Sequence, residues 1–267
     1  MFYRVAFRCD DRDPLQHRLD ELYGYRDDVE TRVLHRLRLN LFLLLLRELI
    51  ARGVVSRFES ALDIGCNAGV YSQILSDFGF RRVEGIDIDA GQVAKAEAAF
   101  AASSPERSVQ FRVANAEELD RSRRYNFVLC TEVIEHTARP ERVIENIAAS
   151  LAPGGVAVVT LPNAFSLTYM LARASYRLRR KPRDPVFEDH LKYPFWRSLE
   201  LFRPHGLELV RTTGTNLFWD GRMLRALAGA PFFAAVNRAQ FEIARRWPFK
   251  YAAMFFFMVL RRRNEAV

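Results

Sequence analysis

Cysteine, glycine and proline are all scarce in this chain. Its 3 cysteines, Cys9, Cys66 and Cys130, are odd in number and far apart among 267 residues, which excludes a disulfide framework and a zinc ribbon. With 13 glycines and 11 prolines, the chain is neither collagen-like nor Gly/Pro-rich. Because 49% of its residues are hydrophobic, it can bury enough apolar surface to offset the entropy of ordering. We therefore expect a folded protein in a reducing compartment.

Long uninterrupted hydrophobic runs are missing too. The apolar stretch 33–50 contains His35, Arg36 and Arg38, and the stretch 251–260 stops after ten residues at three consecutive arginines. A helix that spans a bilayer needs about 20 apolar residues. The N-terminus has no apolar core of the length found in secretion signals. The sequence therefore predicts a soluble, cytoplasmic chain and leaves contact with a membrane surface open.

Charge is distributed unevenly along the chain. The 40 basic and 32 acidic residues give a net charge of +8, but residues 1–56 carry +1, residues 57–161 carry −4 and residues 162–267 carry +11. The basic excess therefore lies in the last two fifths of the chain. There it indicates contact with a negatively charged molecule or surface.

Short apolar runs alternate with amphipathic segments from about residue 57 onward, after a helical stretch at 15–52. Successive parallel strands require crossover helices, so this alternation predicts a doubly wound α/β sheet. A turn at Pro153-Gly154-Gly155 is expected before the fifth strand. The predicted strands are 58–64, 82–88, 109–113, 125–131, 156–161, 207–212 and 252–260, and the predicted helices after residue 57 are 70–78, 91–102, 140–151 and 193–202.

The first of these strands runs into a glycine-containing turn, Asp63-Ile64-Gly65-Cys66-Asn67-Ala68-Gly69. Glycine and asparagine tolerate the left-handed backbone that lets a loop approach a ligand at a helix N-terminus. Asp87 follows at the end of the next strand, where a carboxylate can accept hydrogen bonds from both ribose hydroxyls of a nucleoside cofactor. A dinucleotide fingerprint requires glycines at positions 65, 67 and 70, and only Gly65 matches. A nicotinamide cofactor is therefore disfavoured.

The turn resembles motif I of class I S-adenosylmethionine-dependent methyltransferases. Further segments match in the expected order: Asp87 after the second strand, Asn115-Ala116-Glu117 after the third, and 151–155 before the fifth. The resemblance covers residues 57–161 and the closing strands. It implies a Rossmann-like α/β fold with helical cap insertions and a seven-stranded, mostly parallel sheet whose last strand is antiparallel. The cofactor-binding residues that it implies are Asp63, Gly65, Cys66, Asn67, Gly69, Asp87, Ile88, Asn115, Ala116, Glu117 and Thr131.

The same resemblance implies a role for several of these residues. Asp63 and the loop backbone hold the amino-acid end of S-adenosylmethionine, Asp87 binds the ribose, and Ile88 packs on the adenine. Ala116 and Glu117 border the adenine amino group. Glu117 also has a second interpretation, because an acid beside Glu118 suits the solvated start of a helix.

A Glu-x-x-Glu-His cluster follows the fourth strand. If a helical turn begins at Glu132, then Glu132, Glu135 and His136 are spaced i, i+3 and i+4 and lie on one face, at the sheet edge where α/β proteins bind ligands. Methyl transfer is an in-line displacement, and a hydroxyl nucleophile needs a base or a bound cation to lose its proton. We therefore predict these three residues as catalytic.

The cluster resembles those of two O-methyltransferase groups, which act in ubiquinone biosynthesis and on the terminal 2′-hydroxyl of small RNAs. In both groups it is linked with a divalent metal, and the RNA group adds a later histidine, here His190. The resemblance thus implies Glu132, Glu135, His136 and His190 as metal ligands. In an alternative without metal, Glu135 and His136 hydrogen-bond each other while Glu132 caps the helix.

The C-terminal third has features expected of an acceptor site. Six basic residues and no acid lie within 173–183, interleaved with apolar residues. This pattern favours an anionic lipid, an acidic glycan, a diphosphate-linked substrate or RNA, and a solvated helix is the alternative. Aromatic and methionine residues across 217–247 indicate a helical lid or a part of the core. RNA-binding motifs are not found, so nucleic acid is the less favoured partner.

We expect a single methyltransferase domain over 1–267. It comprises a helical extension at 1–56 that serves as cofactor lid or dimer surface, a cofactor-binding core at 57–161, and an acceptor cap with closing strands at 162–267. Its expected activity is O-methylation of an anionic small-molecule, lipid-linked or glycan acceptor, with peripheral contact to the inner face of the membrane through 173–183. The alternatives are an RNA 2′-O-methyltransferase and an inactive methyltransferase-like scaffold or assembly factor.

Overall fold

The computed structural model describes residues 3–7, 13–24, 29–100, 108–178, 194–217 and 232–263. The chain divides into two compact units. The core unit comprises the described parts of Leu49–Leu161, Trp196–Thr212 and Phe257–Val267. The accessory unit comprises the described parts of Met1–Glu48, Pro162–Phe195 and Thr213–Phe256. That these units act as one methyltransferase domain over 1–267 stays a prediction.

Seven strands in the described residues form one sheet: β1 (Ser60–Ile64), β2 (Arg82–Asp87), β3 (Ser108–Val113), β4 (Tyr125–Thr131), β5 (Leu151–Pro162), β6 (Leu207–Thr215) and β7 (Phe255–Arg262). Their order is β3-β2-β1-β4-β5-β7-β6. Six strands are parallel and the last is antiparallel, which confirms the predicted fold class. All five residues of β1 are buried, as expected for a central strand of a sheet covered on both faces.

The helices in the described residues are α1 (Pro14–Tyr23), α2 (Val29–Ala51), α3 (Val70–Asp77), α4 (Ala90–Phe100), α5 (Pro140–Ser150), α6 (Leu167–Leu178), α7 (Phe195–Phe202) and α8 (Phe233–Ala244). Asp13 caps α1 by accepting hydrogen bonds from the backbone N–H groups of Leu15 and Gln16. The apolar stretch 33–50 forms part of α2, and Leu43 and Phe42 there are fully buried. None of the helices in the described part of the chain is long and apolar enough to cross a membrane.

The fifth strand begins earlier than the sequence predicts. β5 starts at Leu151, so the expected Pro153-Gly154-Gly155 turn lies within the strand. The register shifts there, because Leu151 pairs with Tyr125 whereas Val156 pairs with Phe127. Five steps along β5 thus span two steps along β4, in an irregular segment where Gly154 is left-handed (φ +74°) and both ends stay paired to β4.

In the accessory unit, Asn163, the first residue after β5, is hydrogen-bonded to the segment that precedes β7. Its side-chain amide donates hydrogen bonds to the carbonyl oxygens of Tyr251 at 2.8 Å and Ala253 at 2.9 Å. Its backbone N–H donates to Met254 at 2.8 Å. Carbonyl groups within residues 251–254 thus accept hydrogen bonds from Asn163. The strand β7 begins after them at Phe255, three residues later than predicted from the apolar run 252–260.

Candidate active site

The loop between β1 and α3 adopts the backbone that its composition predicts. Gly65, Asn67 and Gly69 have positive φ values of +73°, +48° and +81°. The backbone N–H groups of Gly65 and Cys66 both donate to the carbonyl oxygen of Ile86, at 2.8 and 2.9 Å. The loop is therefore fixed against β2, and its left-handed residues turn the chain into the N-terminus of α3.

Two of these glycines are also required by crowding. A Cβ atom on Gly65 would lie 2.2 Å from Cγ2 of Val133, and one on Gly69 would lie 2.6 Å from the ring of Phe111. Real Cβ atoms do not approach other atoms so closely. The loop thus packs tightly against the segment that follows β4 and against β3, in addition to needing a left-handed backbone.

Asp63 is a buried acid one residue before the end of β1. Its Oδ2 accepts a 2.7 Å hydrogen bond from the Ser72 hydroxyl on α3. Within the part of the chain that the structure describes, its Oδ1 has no hydrogen-bond partner. Burial raises the pKa of Asp63 from 3.8 to about 7, although the Ser72 bond acts in the opposite direction. A buried carboxyl with one unpaired oxygen is suited to pair with a cationic ligand group.

Asp87, at the end of β2, is joined to the same loop. Its Oδ2 accepts the backbone N–H of Asn67 at 2.8 Å, and its Oδ1 accepts that of Asp89 at 3.0 Å. Ile88 follows and is 72% exposed. An exposed isoleucine beside an oriented carboxylate offers an apolar surface for an aromatic ring next to a ribose-binding group.

Asn115 and Glu117 lie after β3, where the sequence predicts them. Asn115 accepts the backbone N–H of Glu117 at 3.0 Å and caps a short 3₁₀ helix, Ala116–Glu118. Glu117 Oε1 accepts the backbone N–H groups of Ala138 and Arg139 at 2.9 and 3.1 Å, and its Oε2 accepts Nε of Arg139 at 2.7 Å. The interpretation as a solvated helix start is therefore wrong, because this side chain ties β3 to the loop before α5.

Replacing this acid gives a pH-dependent prediction. The hydrogen bond from Arg139 holds the pKa of Glu117 below its usual value, so the stabilisation is present above pH about 4.5 and is lost as the pH falls below it. Glu117→Gln should lower the melting temperature by a few degrees at pH 7. Its difference from wild type should shrink toward pH 4 in thermal melts. Glu118→Gln is the control, because Glu118 is exposed and lies 3.7 Å from the same arginine.

Glu132, the first residue after β4, has a positive φ of +55°. Its backbone N–H donates to the hydroxyl of Thr160 on β5, and that hydroxyl donates to Glu132 Oε1, both at 2.9 Å. Thr131, beside it, pairs in register with Thr160. Strained residues of this kind cluster at functional sites. Glu132 therefore lies at the carboxyl edge of the sheet, between β1 and β5, in a fixed conformation.

The prediction that Glu132, Glu135 and His136 share one helical face is wrong. Glu132 is left-handed, and only Ile134–His136 form a 3₁₀ turn. Glu135 is buried, whereas His136 is exposed. Burial and the nearby Glu135 carboxylate raise the pKa of the buried Cys130 thiol. The acid at 135 thus faces the interior.

The structure describes three of the four predicted metal ligands, Glu132, Glu135 and His136. Among the described residues, no three His, Cys, Asp or Glu side chains are grouped closely enough to hold a metal ion. His190, the fourth predicted ligand, lies outside the described residues. The metal site at Glu132, Glu135, His136 and His190 therefore stays a prediction, and no chemical step below depends on it.

Four residues that contribute to the site do not follow from the sequence pattern: Ser72, Val133, Arg139 and Thr160. Each acts through a contact with a residue distant in sequence, so motif spacing carries no signal for it. Cys66 is buried, and burial together with Asp63 raises the pKa of its thiol. Its thiol is therefore not a reactive thiolate, and its backbone N–H bonds Ile86 within the loop.

The sheet order, the glycine loop and the oriented acid after β2 define a Rossmann-like protein of the methyltransferase class. A family model described as "Methyltransferase domain" matches residues 26–212, well over half of the chain. The chain therefore belongs to this methyltransferase family.

Curated relatives share part of this chain. A protein of Bradyrhizobium sp. (strain ORS 278) named "Ubiquinone biosynthesis O-methyltransferase" is 36% identical over 124 residues, which are 46% of this chain and 48% of the relative. A protein of the same name from Rickettsia conorii is 28% identical over 190 residues, covering 70% of this chain and 61% of the relative. The chain thus spans about half to three fifths of the length of these relatives.

Solved structures share the fold at low sequence identity. Magnesium protoporphyrin IX methyltransferase from Synechocystis PCC 6803, solved with bound SAH, matches with a TM-score of 0.61 at 15% identity over 92% of this chain and 93% of that chain. Identity this low supports the fold and does not by itself assign an acceptor.

Proposed function

We propose that this chain is an S-adenosylmethionine-dependent methyltransferase that methylates an oxygen atom of a small-molecule, lipid-linked or glycan acceptor. The observation that carries the proposal is the unpaired Oδ1 of buried Asp63, next to a left-handed loop at the N-terminus of α3. S-adenosylmethionine fits these residues, because it has an ammonium group, a ribose and an adenine. Asp63 would hold the ammonium, Asp87 the ribose hydroxyls, and Ile88 the adenine face.

The residues around the loop prepare this binding. When bound, S-adenosylmethionine supplies a methyl group that its sulfonium sulfur makes electrophilic. The ammonium favours the ionised form of Asp63 and so offsets the desolvation of that carboxyl. The backbone N–H groups of Asn67 and Asp89 hold the Asp87 carboxylate in one orientation before the ribose arrives. Such preorganisation lowers the entropy cost of binding.

Removal of the proton from the acceptor hydroxyl is assigned to the residues after β4. An acceptor hydroxyl has to lose its proton as the methyl group is transferred, and a positioned carboxylate or imidazole can take that proton. Glu132 is held at the sheet edge by Thr160, and His136 is exposed close by in the chain. Glu135 is buried beside Cys130, so it supports this segment rather than contacting an acceptor. The name of the curated relatives, O-methyltransferase, supports oxygen as the methylated atom.

Methyl labelling tests the activity and the acceptor class together. Purified protein is incubated with methyl-tritiated S-adenosylmethionine and with lipid, glycan or RNA extracts from cells that lack the protein, in which unmethylated acceptor accumulates. We expect label in the lipid or glycan extract, on a methoxy group. Label in RNA alone would establish the RNA 2′-O-methyltransferase alternative. No label in any extract, despite cofactor binding, would contradict the proposal and favour the scaffold alternative.

An anionic membrane surface is the partner that we propose for the accessory unit. The face of α6 carries exposed apolar residues beside exposed arginines: Met170, Leu171 and Leu178, the last 85% exposed, with Arg173 and Arg177. Arg179, Arg180, Lys181 and Arg183 of the predicted basic segment lie outside the described residues. Apolar and basic side chains on one helix suit the headgroup region of an anionic bilayer.

Vesicle binding provides the corresponding prediction. Each basic residue near an anionic surface contributes about 1 kcal/mol, so Arg173→Glu with Arg177→Glu should weaken sedimentation with phosphatidylglycerol vesicles at least about ten-fold. Binding to neutral phosphatidylcholine vesicles should be weak for every variant. The control pair, Arg52→Glu with Arg57→Glu, makes the same charge change at exposed positions of the core unit. Equal losses in both pairs would show a dependence on net charge alone and contradict a surface on α6.

A further inference from the structure

Glu132 has an unusual backbone conformation for its residue type. Three non-glycine residues in the described part of the chain have positive φ, and the other two are Asn67 and Asn216. Asparagine enters the left-handed region readily because its short side chain bonds locally, whereas glutamate does so rarely. A glutamate in this conformation therefore requires neighbours that fix it.

The Thr160 hydroxyl fixes it at two points. It accepts the backbone N–H of Glu132 and donates its proton to Glu132 Oε1, each bond measuring 2.9 Å. Thr160 itself is fully buried in β5. A hydroxyl at a buried strand position is costly unless it is hydrogen-bonded, and a valine of the same shape would suit the strand equally well. One bond of this hydroxyl therefore fixes the backbone of Glu132, and the other fixes its side chain.

The residue after Glu132 contacts the cofactor loop. Cγ2 of Val133 occupies the space where Gly65 would carry a Cβ, 2.2 Å from that position. The segment Glu132–Val133 is thus held by β5 through Thr160 on one side and abuts the glycine loop on the other. A shift of Glu132 would change the distance between its carboxylate and the loop that binds the cofactor.

We propose that Thr160 is a positioning residue that sets the Glu132 carboxylate relative to the cofactor loop. This inference rests on the proposed function, because it assigns the effect of Thr160 to turnover through Glu132. A displacement of about 1 Å at a reacting group can lower the rate of an oriented reaction about a hundred-fold. Loss of the hydroxyl should therefore lower the rate of methyl transfer more than it changes binding of the cofactor.

Variants of Thr160 separate positioning from folding. Thr160→Val keeps the shape and removes both bonds, whereas Thr160→Ser keeps the hydroxyl and removes a methyl group. With the lipid extract and tritiated S-adenosylmethionine, we expect kcat at least about ten-fold lower for Thr160→Val and within about three-fold of wild type for Thr160→Ser. The dissociation constant for S-adenosylmethionine should change less than about three-fold in both. Thr213→Val, at a buried threonine of β6, controls for loss of any buried hydroxyl.

A double-mutant cycle provides the decisive comparison. If Thr160 acts through Glu132, Thr160→Val should have little further effect on kcat in the Glu132→Gln background. The inference would be overturned if Thr160→Val lowered kcat by the same factor in the wild-type and Glu132→Gln backgrounds, or if folded Thr160→Val had the wild-type kcat. Should Thr160→Val fail to fold, Thr160→Cys, which keeps a weaker donor, replaces it in the cycle, with the same criteria. Absence of label with wild-type protein contradicts the proposed function instead, so the two failures are distinguishable.

Discussion

Gly65→Ala should both destabilise the core unit and weaken binding of S-adenosylmethionine. The left-handed backbone of Gly65 costs an alanine about 1–2 kcal/mol. The added Cβ also meets Val133 Cγ2, which costs roughly 1–3 kcal/mol more in a tightly packed site. Together these effects lower the melting temperature by roughly 5–15 °C for a chain of this size. Because the loop has to move to relieve the clash with Val133, the affinity for S-adenosylmethionine measured by calorimetry should fall at least about ten-fold.

Gly154→Ala is a matched control for this change. Gly154 has a similar φ of +74°, but nothing lies within 4 Å of a Cβ added there. It should therefore show only the backbone cost, a few degrees in melting temperature, with unchanged affinity for S-adenosylmethionine. The pair Gly65→Ala with Val133→Ala should recover part of the affinity, since the colliding methyl is removed. Equal behaviour of the two glycine variants would contradict the crowding at Gly65.

Binding of S-adenosylmethionine should weaken strongly as the pH falls below 7. In the empty site, burial raises the pKa of Asp63 to about 7, so at lower pH the carboxyl has to release a proton before it can pair with the ammonium. Affinity should then fall about ten-fold per pH unit between pH 7 and 5. Calorimetry from pH 5 to 7.5 measures this slope, and proton release should appear as a dependence on the buffer's ionisation enthalpy.

The free energy of unfolding of the protein without S-adenosylmethionine should change with pH in the opposite direction to the affinity, falling as the pH rises. Unfolded Asp63 ionises near 3.8, whereas the folded carboxyl keeps its proton up to about 7. Folded protein thus binds more protons between these values, and its stability falls as the pH rises through that window and levels off above it. Asp63→Asn should remove both pH dependences, and Asp77→Asn at the end of α3 should leave them unchanged. A flat affinity profile in the wild type would contradict the role of Asp63.

The regular elements and the cofactor loop follow from the sequence because their signals are local. Apolar periodicity marks the strands, and a left-handed loop needs small residues or asparagine, which are visible at Gly65, Asn67 and Gly69. Asp87 is predictable as well, since parallel strands end at one edge of the sheet. These features depend on residue type and spacing alone.

The region after β4 could not be predicted in the same way. The left-handed φ of Glu132 is stabilised by Thr160, 28 residues away, and nothing in the side chain of a glutamate signals it. The i, i+3, i+4 spacing assumed a helical turn from Glu132, whereas Glu132 is left-handed and the turn covers only Ile134–His136. Glu117 is a similar case, because its partner Arg139 lies 22 residues away. Tertiary contacts here override local preference.

The fold alone does not determine the reaction. A chain described as a [4+2]-cyclase matches this structure with a TM-score of 0.54 at 20% identity, over 80% of each chain. The same scaffold is thus found in a protein whose description names a different chemistry. For this chain, the assignment of methyl transfer rests on the match of residues 26–212 to the methyltransferase family model rather than on the sheet alone.

Calorimetric titration of the purified wild-type protein with S-adenosylmethionine tests the central claim most directly. We expect saturable binding at one site per chain with a dissociation constant in the micromolar range, and at least about a hundred-fold loss of affinity in Asp87→Ala. NAD should not bind, because the loop lacks the dinucleotide glycines. No heat of binding with S-adenosylmethionine, or binding that Asp87→Ala leaves unchanged, would contradict the account.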